Sequence, residues 1–216
     1  MSWHGYVLAW DEIQELIVND LLLHITSMAF FALVTSITPG PVNIVLAMSG
    51  AQFGIRKSQP YVLGATIAFT SLLICLGMGL GVVIAAYPVI TNSIKIIGTA
   101  YLFYLAYRII TSGNNYTHDH HDRPLPGFID GALTQFLNPK AWSVSLSANS
   151  IYVAGHEPVI ETLTIFAILF FVICYGSLWL WAAFGSKVAL LPPAYMGALH
   201  WILGICLILS IGLMWL

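Results

Sequence analysis

Charge is what this sequence has least of. Lys, Arg, Asp and Glu make up 7% of its 216 residues, against roughly 25% in an average soluble domain. An ordinary water-facing surface is therefore excluded for most of the chain. The net charge of −2 comes with no basic stripe, so nucleic acid is excluded as a partner. Cysteine is almost as scarce. Cys75, Cys174 and Cys206 each fall in an apolar run without CxxC spacing, and buried, inert thiols are expected. No GxxxxGK[ST] phosphate loop, HExxH helix or GxSxG elbow occurs, and nothing pairs a nucleophile with a base. The pattern points away from an enzyme and from an ATP-driven pump, and it implies no cofactor. The first 20 residues also lack the basic start and apolar core of a signal peptide. Asp11, Glu12, Glu15 and Asp20 make an acidic lead-in, with Ile13, Leu16 and Ile17 expected on the wet edge of a short amphipathic helix.

Apolar residues fill the space. The chain is 59% hydrophobic with a mean hydropathy of +0.87, and runs near the ~20 residues that span hydrocarbon recur throughout. They fall at Leu21–Met48, Tyr61–Tyr87, Ile94–Thr111, Phe128–Val153, Leu163–Gly185 and Ala194–Leu216, so about six spans are expected. The predicted fold is an all-α polytopic membrane protein, residues 1–216 forming one transport domain. Arg56, Lys57, Arg108, Arg123 and Lys187 would lie on one side, Lys95 alone would flank the other, and Lys140 lies inside a span. The positive-inside rule makes the loops 49–60, 112–127 and 186–193 cytoplasmic and places both termini outside a plasma or inner membrane.

Two spans are interrupted. "SITPGPVNIVLAM" sets Pro39 and Pro41 around Gly40 in the first, and "LTQFLNPKAWSVSL" sets Asn138-Pro139-Lys140 in the fourth. A proline in a helix interior costs about 3 kcal/mol, and each freed backbone group in lipid needs a partner within the protein. Pro39 and Pro139 are 100 positions apart, each in the first span of a three-span half. The halves, about 21–111 and 128–216 with a linker at 112–127, would enter the membrane from opposite sides. Interrupted segments at matching places in inverted halves point to a secondary-transporter binding site. Thr38-Pro39 and Asn138-Pro139 each read as an N-cap before a proline at the first helical position. Two helix N-termini would then meet near the midplane and offer backbone N–H groups to an anion. Lys140 adds the intramembrane cation, Asn43 and Asn138 add amides, and Gln135 lies close enough to line the cavity.

At these residues the sequence resembles the lysine-exporter superfamily, specifically its amino-acid and homoserine/threonine exporter branch. "TPGPVN" and "NPKA" carry the resemblance, with "GTAYLFYLAYRI" similar to that family's third span and "GFIDGALTQFLNPKA" to its fourth. The likeness runs from about Phe31 to the C-terminus and weakens after Val153. It implies six spans and proton-driven amino-acid efflux from the cytoplasm, and it carries over Pro39, Gly40, Pro41, Asn43, Asn138, Pro139 and Lys140 without giving any of them a chemical role. The candidate substrate-binding set is Thr38, Pro39, Gly40, Pro41, Asn43, Gln135, Asn138, Pro139 and Lys140.

Other residues leave two readings open. Asp130 serves either as a proton or ammonium site or as an interface residue. Gly77-x-x-x-Gly81 suits close helix packing, His24 and His200 suit span ends, and Trp3, Trp10, Trp201 and Trp215 fit an interfacial aromatic belt. The loop "THDHHDRP" offers His118, His120 and His121 with Asp119 and Asp122. These ligands suit transition metals, and distant branches of the resembled superfamily move metal ions. A divalent-metal exporter is thus the alternative to a solvated linker. The expected partners are a small-molecule amino acid and the lipid bilayer, with a homo-oligomer left open. One lysine and no central carboxylate favour neutral over dibasic amino acids, exported by alternating access.

Overall fold

The computed structural model describes residues 3–81, 86–112, 125–190, 198, 201–206, 208 and 209. Among them every regular element is helical. Among the described residues, three helices are long and apolar enough to cross a membrane, at Gln14–Ile37, Ile55–Leu80 and Val159–Val188, with a shorter apolar helix at Ile96–Tyr107. The protein is an all-α membrane protein. Leu22, Phe30, Ile168 and Val172 are each more than half exposed, which suits a lipid-facing surface and would be an aggregation hazard in water.

The first interrupted span begins earlier than its hydropathy suggests. Helix α1 runs unbroken from Trp3 to Ile37, so the acidic lead-in is its first half and not a separate short helix. Helix α2 (Pro41–Phe53) follows the break. Helix α3 (Ile55–Cys75) carries Pro60 within its first two turns and passes into a π-helical turn at Leu76–Leu80, short of the expected end at Tyr87. Gly79 in that turn has φ +103°, a backbone conformation that glycine adopts without a Cβ penalty. Just before the turn the Leu73 carbonyl accepts the Leu76 N–H, and Asn149 Nδ2 also donates to it at 3.0 Å. A Cβ on Gly77 would collide with that same amide.

Helix α4 spans Pro88–Ser112. The second interrupted span consists of α5 (Phe128–Phe136) and α6 (Pro139–Tyr152), followed by α7 (Val159–Val188). Residues 201–206 are helical, and Gly204 packs against Ile110 of α4. The rest of the expected last span, with His200 and Trp215, lies mostly outside the described residues, as do the side chains of Trp3 and Trp10.

Most of the core comes from α1, α2, α3 and α7, including Met28, Ile44, Leu46, Tyr61, Phe166 and Phe170, and Leu102 of α4 and Ala148 of α6 join it. Phe69 stacks on Phe170 with centroids 4.4 Å apart. Glycine sets the closest helix contacts, as expected where packing rather than the hydrophobic effect joins helices. A Cβ on Gly50 would overlap the Ala182 carbonyl, and one on Gly185 would overlap that of Ala47. The same reciprocal arrangement joins α3 to α5, through Gly64 against Phe128 and Gly131 against Tyr61.

At one end of the bundle, His24 of α1 stacks on His156 at 4.5 Å, and its Nε2 lies 3.3 Å from the Tyr152 carbonyl. The span-end position expected for His24 is thus a contact between α1 and the turn after α6. Cys174 is buried, whereas Cys75 and Cys206 are exposed. The expectation of three buried thiols fails for the latter two, because their helices turn those positions to the outer apolar surface.

Candidate functional site

A helix end leaves four carbonyls without intrahelical partners. For α1 each of the four has a donor. Val34 O accepts the Thr38 N–H at 3.2 Å, and Thr35 O accepts the Thr38 hydroxyl at 3.2 Å. Ser36 O accepts Asn43 Nδ2 of α2 at 2.9 Å, and Ile37 O accepts Trp181 Nε1 of α7 at 3.1 Å. One residue further on, the Thr38 carbonyl and hydroxyl both accept the Lys140 ammonium of α6, each at 2.8 Å. Donors from three helices therefore hold the break open where lipid offers none. Trp181→Phe removes one donor with little change in bulk. It is expected to lower stability by about 1 kcal/mol, read as a lower unfolding temperature of the detergent-purified protein. An unchanged temperature would show that the Ile37 carbonyl finds water instead.

The new helix does not start where its sequence suggests. Thr38 caps nothing ahead of it, since both its N–H and its hydroxyl turn back to α1. Gly40, extended at φ −155°, is the N-cap of α2, with Pro41 as its first helical residue and no side-chain cap. The expected Thr38-Pro39 start is thus shifted to Gly40-Pro41. Physically, Pro41 lacks the N–H that a first-turn residue would leave unpaired anyway. The second break behaves as expected: Asn138 is the N-cap of α6, its Oδ1 accepts Lys140 N at 3.1 Å, and Pro139 begins the helix.

That cap has a consequence for anion binding. Asn138 already engages the Lys140 N–H with its side chain and the Ala141 N–H with its carbonyl at 2.9 Å. The α6 terminus therefore has few donors to spare, while α2 has no side-chain competitor for its own. Lys140 is the second residue of α6, where the helix dipole disfavours a cation. Its ammonium instead reaches the carbonyl end of α1, where the dipole favours one. Gly40 leaves room for this path: a Cβ there would come within 3.2 Å of Lys140 Cδ.

Both breaks border one cavity of about 30 Å³. Its walls include Thr35 and Ser36 of α1, Val42 and Asn43 of α2, Gln135 of α5, Asn138, Lys140 and Ala141 at the second break, and Cys174 of α7. Of the sequence-derived set, Asn43, Gln135, Asn138 and Lys140 line it. Thr38 joins through Lys140, while Pro39, Gly40, Pro41 and Pro139 shape the backbone around it. Asp130 does not line it; its Oδ2 accepts the Gly127 N–H at 2.7 Å, capping α5.

Several participants went unread in the sequence. Trp142 Nε1 bonds the Phe136 carbonyl at 2.7 Å, the counterpart of Trp181 at the first break. Its place three residues after Pro139 was a usable signal. Trp181 and Cys174 sit in plain apolar runs and carried none, while Ser36 opens the first interrupted stretch itself and was passed over. The His118, His120 and His121 loop lies outside the described residues. Among the described residues, no three of His, Cys, Asp and Glu gather as metal ligands.

Comparison with known proteins adds relatives. A cysteine/O-acetylserine efflux protein of Salmonella choleraesuis (strain SC-B67) is 31% identical over 125 residues, covering 57% of this chain and 62% of the relative. The chain therefore spans less than two thirds of that relative's length. A cysteine/O-acetylserine efflux protein of Escherichia coli O1:K1 / APEC is 26% identical over 180 residues, covering 82% of this chain and 90% of the relative. No solved structure matches. The family model described as LysE type translocator matches residues 33–214, a stretch that contains both breaks and the cavity between them, and the chain belongs to that family.

Proposed function

We propose that this protein is a secondary exporter of small neutral amino acids that works by alternating access. The observation that carries the reading is the Lys140 ammonium, held at the junction of two broken helices beside a cavity lined in part by polar side chains. An amino-acid carboxylate leaving water needs a cation or oriented donors. Lys140 supplies the cation and the uncapped start of α2 supplies N–H groups. The relatives named as cysteine/O-acetylserine efflux proteins support the same substrate class.

In this reading Lys140 is a latch. Without substrate it bonds Thr38, 102 residues away in the other half. A bound carboxylate takes Thr38's place, releases the end of α1, and lets one half rock against the other. The cavity of about 30 Å³ is tenfold below the ~300 Å³ at which ligand pockets begin. The conformation is therefore a closed one that opens to admit substrate. Proton coupling and outward-facing termini belong to the same proposal.

The test is efflux from loaded proteoliposomes, with a panel of labelled amino acids and divalent metal ions. Small neutral amino acids are expected to leave faster than from empty liposomes, and release of metal ions alone would overturn the reading. Orientation is checked separately. A cysteine at Arg56 in a thiol-free background is expected to resist impermeant reagents in intact cells, and labelling from outside would reverse the topology.

A further inference from the structure

The cavity has one polar group that nothing so far uses. Ser36 is 8% exposed, and its hydroxyl is among the buried polar atoms with no hydrogen-bond partner. Its carbonyl, by contrast, is fixed by Asn43 Nδ2 at 2.9 Å. The residue is thus held in place by its backbone, and its buried hydroxyl, in the lining of the cavity, is left without a partner. Beside it in the lining lies the thiol of Cys174, 3% exposed on α7 and close to Thr66 and the Lys140 side chain as well. A thiol is a weak hydrogen-bonding partner, so this neighbour offers the hydroxyl far less than an oxygen or nitrogen partner would.

The geometry points to Ser36 as the residue that reads the substrate's side chain, selecting amino acids with a hydrogen-bonding group on the β-carbon. This assignment rests on the amino-acid reading above and divides the site in two. Lys140 and the start of α2 take the carboxylate common to all amino acids. The Ser36 hydroxyl, with the Cys174 thiol beside it, takes what differs between them. A buried hydroxyl that expects a partner discriminates against a ligand that lacks one, because an apolar side chain leaves it unpaired. Thr35, Phe69 and Phe170 border the same cavity, so the hydroxyl has apolar rings for neighbours, where an unpaired polar group is costly.

Cysteine, serine and 2-aminobutyrate give a direct test, since they differ only in whether the γ-position is S–H, O–H or CH₃. The experiment measures competitive efflux of the three from proteoliposomes carrying the full-length protein. The wild type is expected to prefer cysteine and serine over 2-aminobutyrate by at least about tenfold. Ser36→Ala is expected to bring that preference close to one, chiefly by losing cysteine and serine transport. Ser36→Thr, which keeps the hydroxyl, is expected to retain the preference. Equal wild-type transport of cysteine and 2-aminobutyrate overturns the assignment without recourse to any variant. A preference that survives in Ser36→Ala also overturns it, and marks the hydroxyl as a seat for structural water only. In both cases amino-acid efflux itself still stands. Absence of efflux for every amino acid tested overturns the exporter reading and this assignment with it.

Discussion

Lys140→Met is expected to leave the protein inserted and helical while weakening substrate binding by about 30-fold or more. Methionine preserves most of the side-chain volume along Gly40, where the lysine stem packs closely, so the change isolates the charge. Truncating one member of a desolvated charge pair typically costs about 2–5 kcal/mol, which corresponds to that factor or more. The substitution also strips the Thr38 carbonyl and hydroxyl of their shared donor, so a structural effect must be separated from a binding effect. Two comparisons do this. Lys140→Arg keeps the charge with altered geometry and is expected to restore part of the affinity. A substrate analogue with its carboxylate replaced by a neutral amide is expected to lose little on going from wild type to Lys140→Met. If the acid and the amide weaken equally, Lys140 holds the end of α1 and nothing more. Counterflow in proteoliposomes measures both affinities.

The interrupted spans were legible because proline and asparagine carry local rules that no membrane context removes. Pro139 after Asn138 fixed the start of α6 to the residue. At the first break the same rule was read at Thr38-Pro39, although Gly40 before Pro41 is a cap of about equal propensity. The choice was made elsewhere. Thr38 is drawn back to α1 by its own N–H and by the Lys140 ammonium, both non-local or backward contacts. A reading that pairs each cap with the helix ahead of it does not see them. The partners of the freed carbonyls were hidden for a related reason. Trp181 lies 144 positions from Ile37 in a span where any apolar residue fits the hydropathy pattern. Cys174 was correctly read as buried, yet burial alone does not separate a core position from a cavity wall. Asp130 is the opposite case: its carboxylate left two readings open, a proton or ammonium site and an interface residue, and the partner it has is the backbone N–H three residues before it.

Cβ atoms placed at Gly50 and Gly185 are expected to push α2 and α7 apart, with consequences that are large singly and not additive together. Each added methyl would overlap the facing backbone, at Ala182 and Ala47 respectively. A main-chain carbonyl on a helix cannot turn aside as a flexible side chain does, so the helices themselves must separate. Overpacking of this kind typically costs about 1–3 kcal/mol. Gly50→Ala and Gly185→Ala are each expected to lower the unfolding temperature of the purified protein and to reduce transport. Helix α2 carries Asn43 and α7 carries Trp181, so separation also strains two of the donors that hold the end of α1. Once one methyl has parted the helices, room for the other already exists. The double variant is therefore expected to cost clearly less than the sum of the two, as for residues sharing one contact. Gly176→Ala is the control: it lies on the same helix α7, and a methyl there would meet nothing within 4 Å. It is expected to be neutral or mildly stabilising. Fully additive losses at Gly50 and Gly185 would mean that the two glycines act separately, and losses no greater than at Gly176 would mean that the helices do not approach this closely.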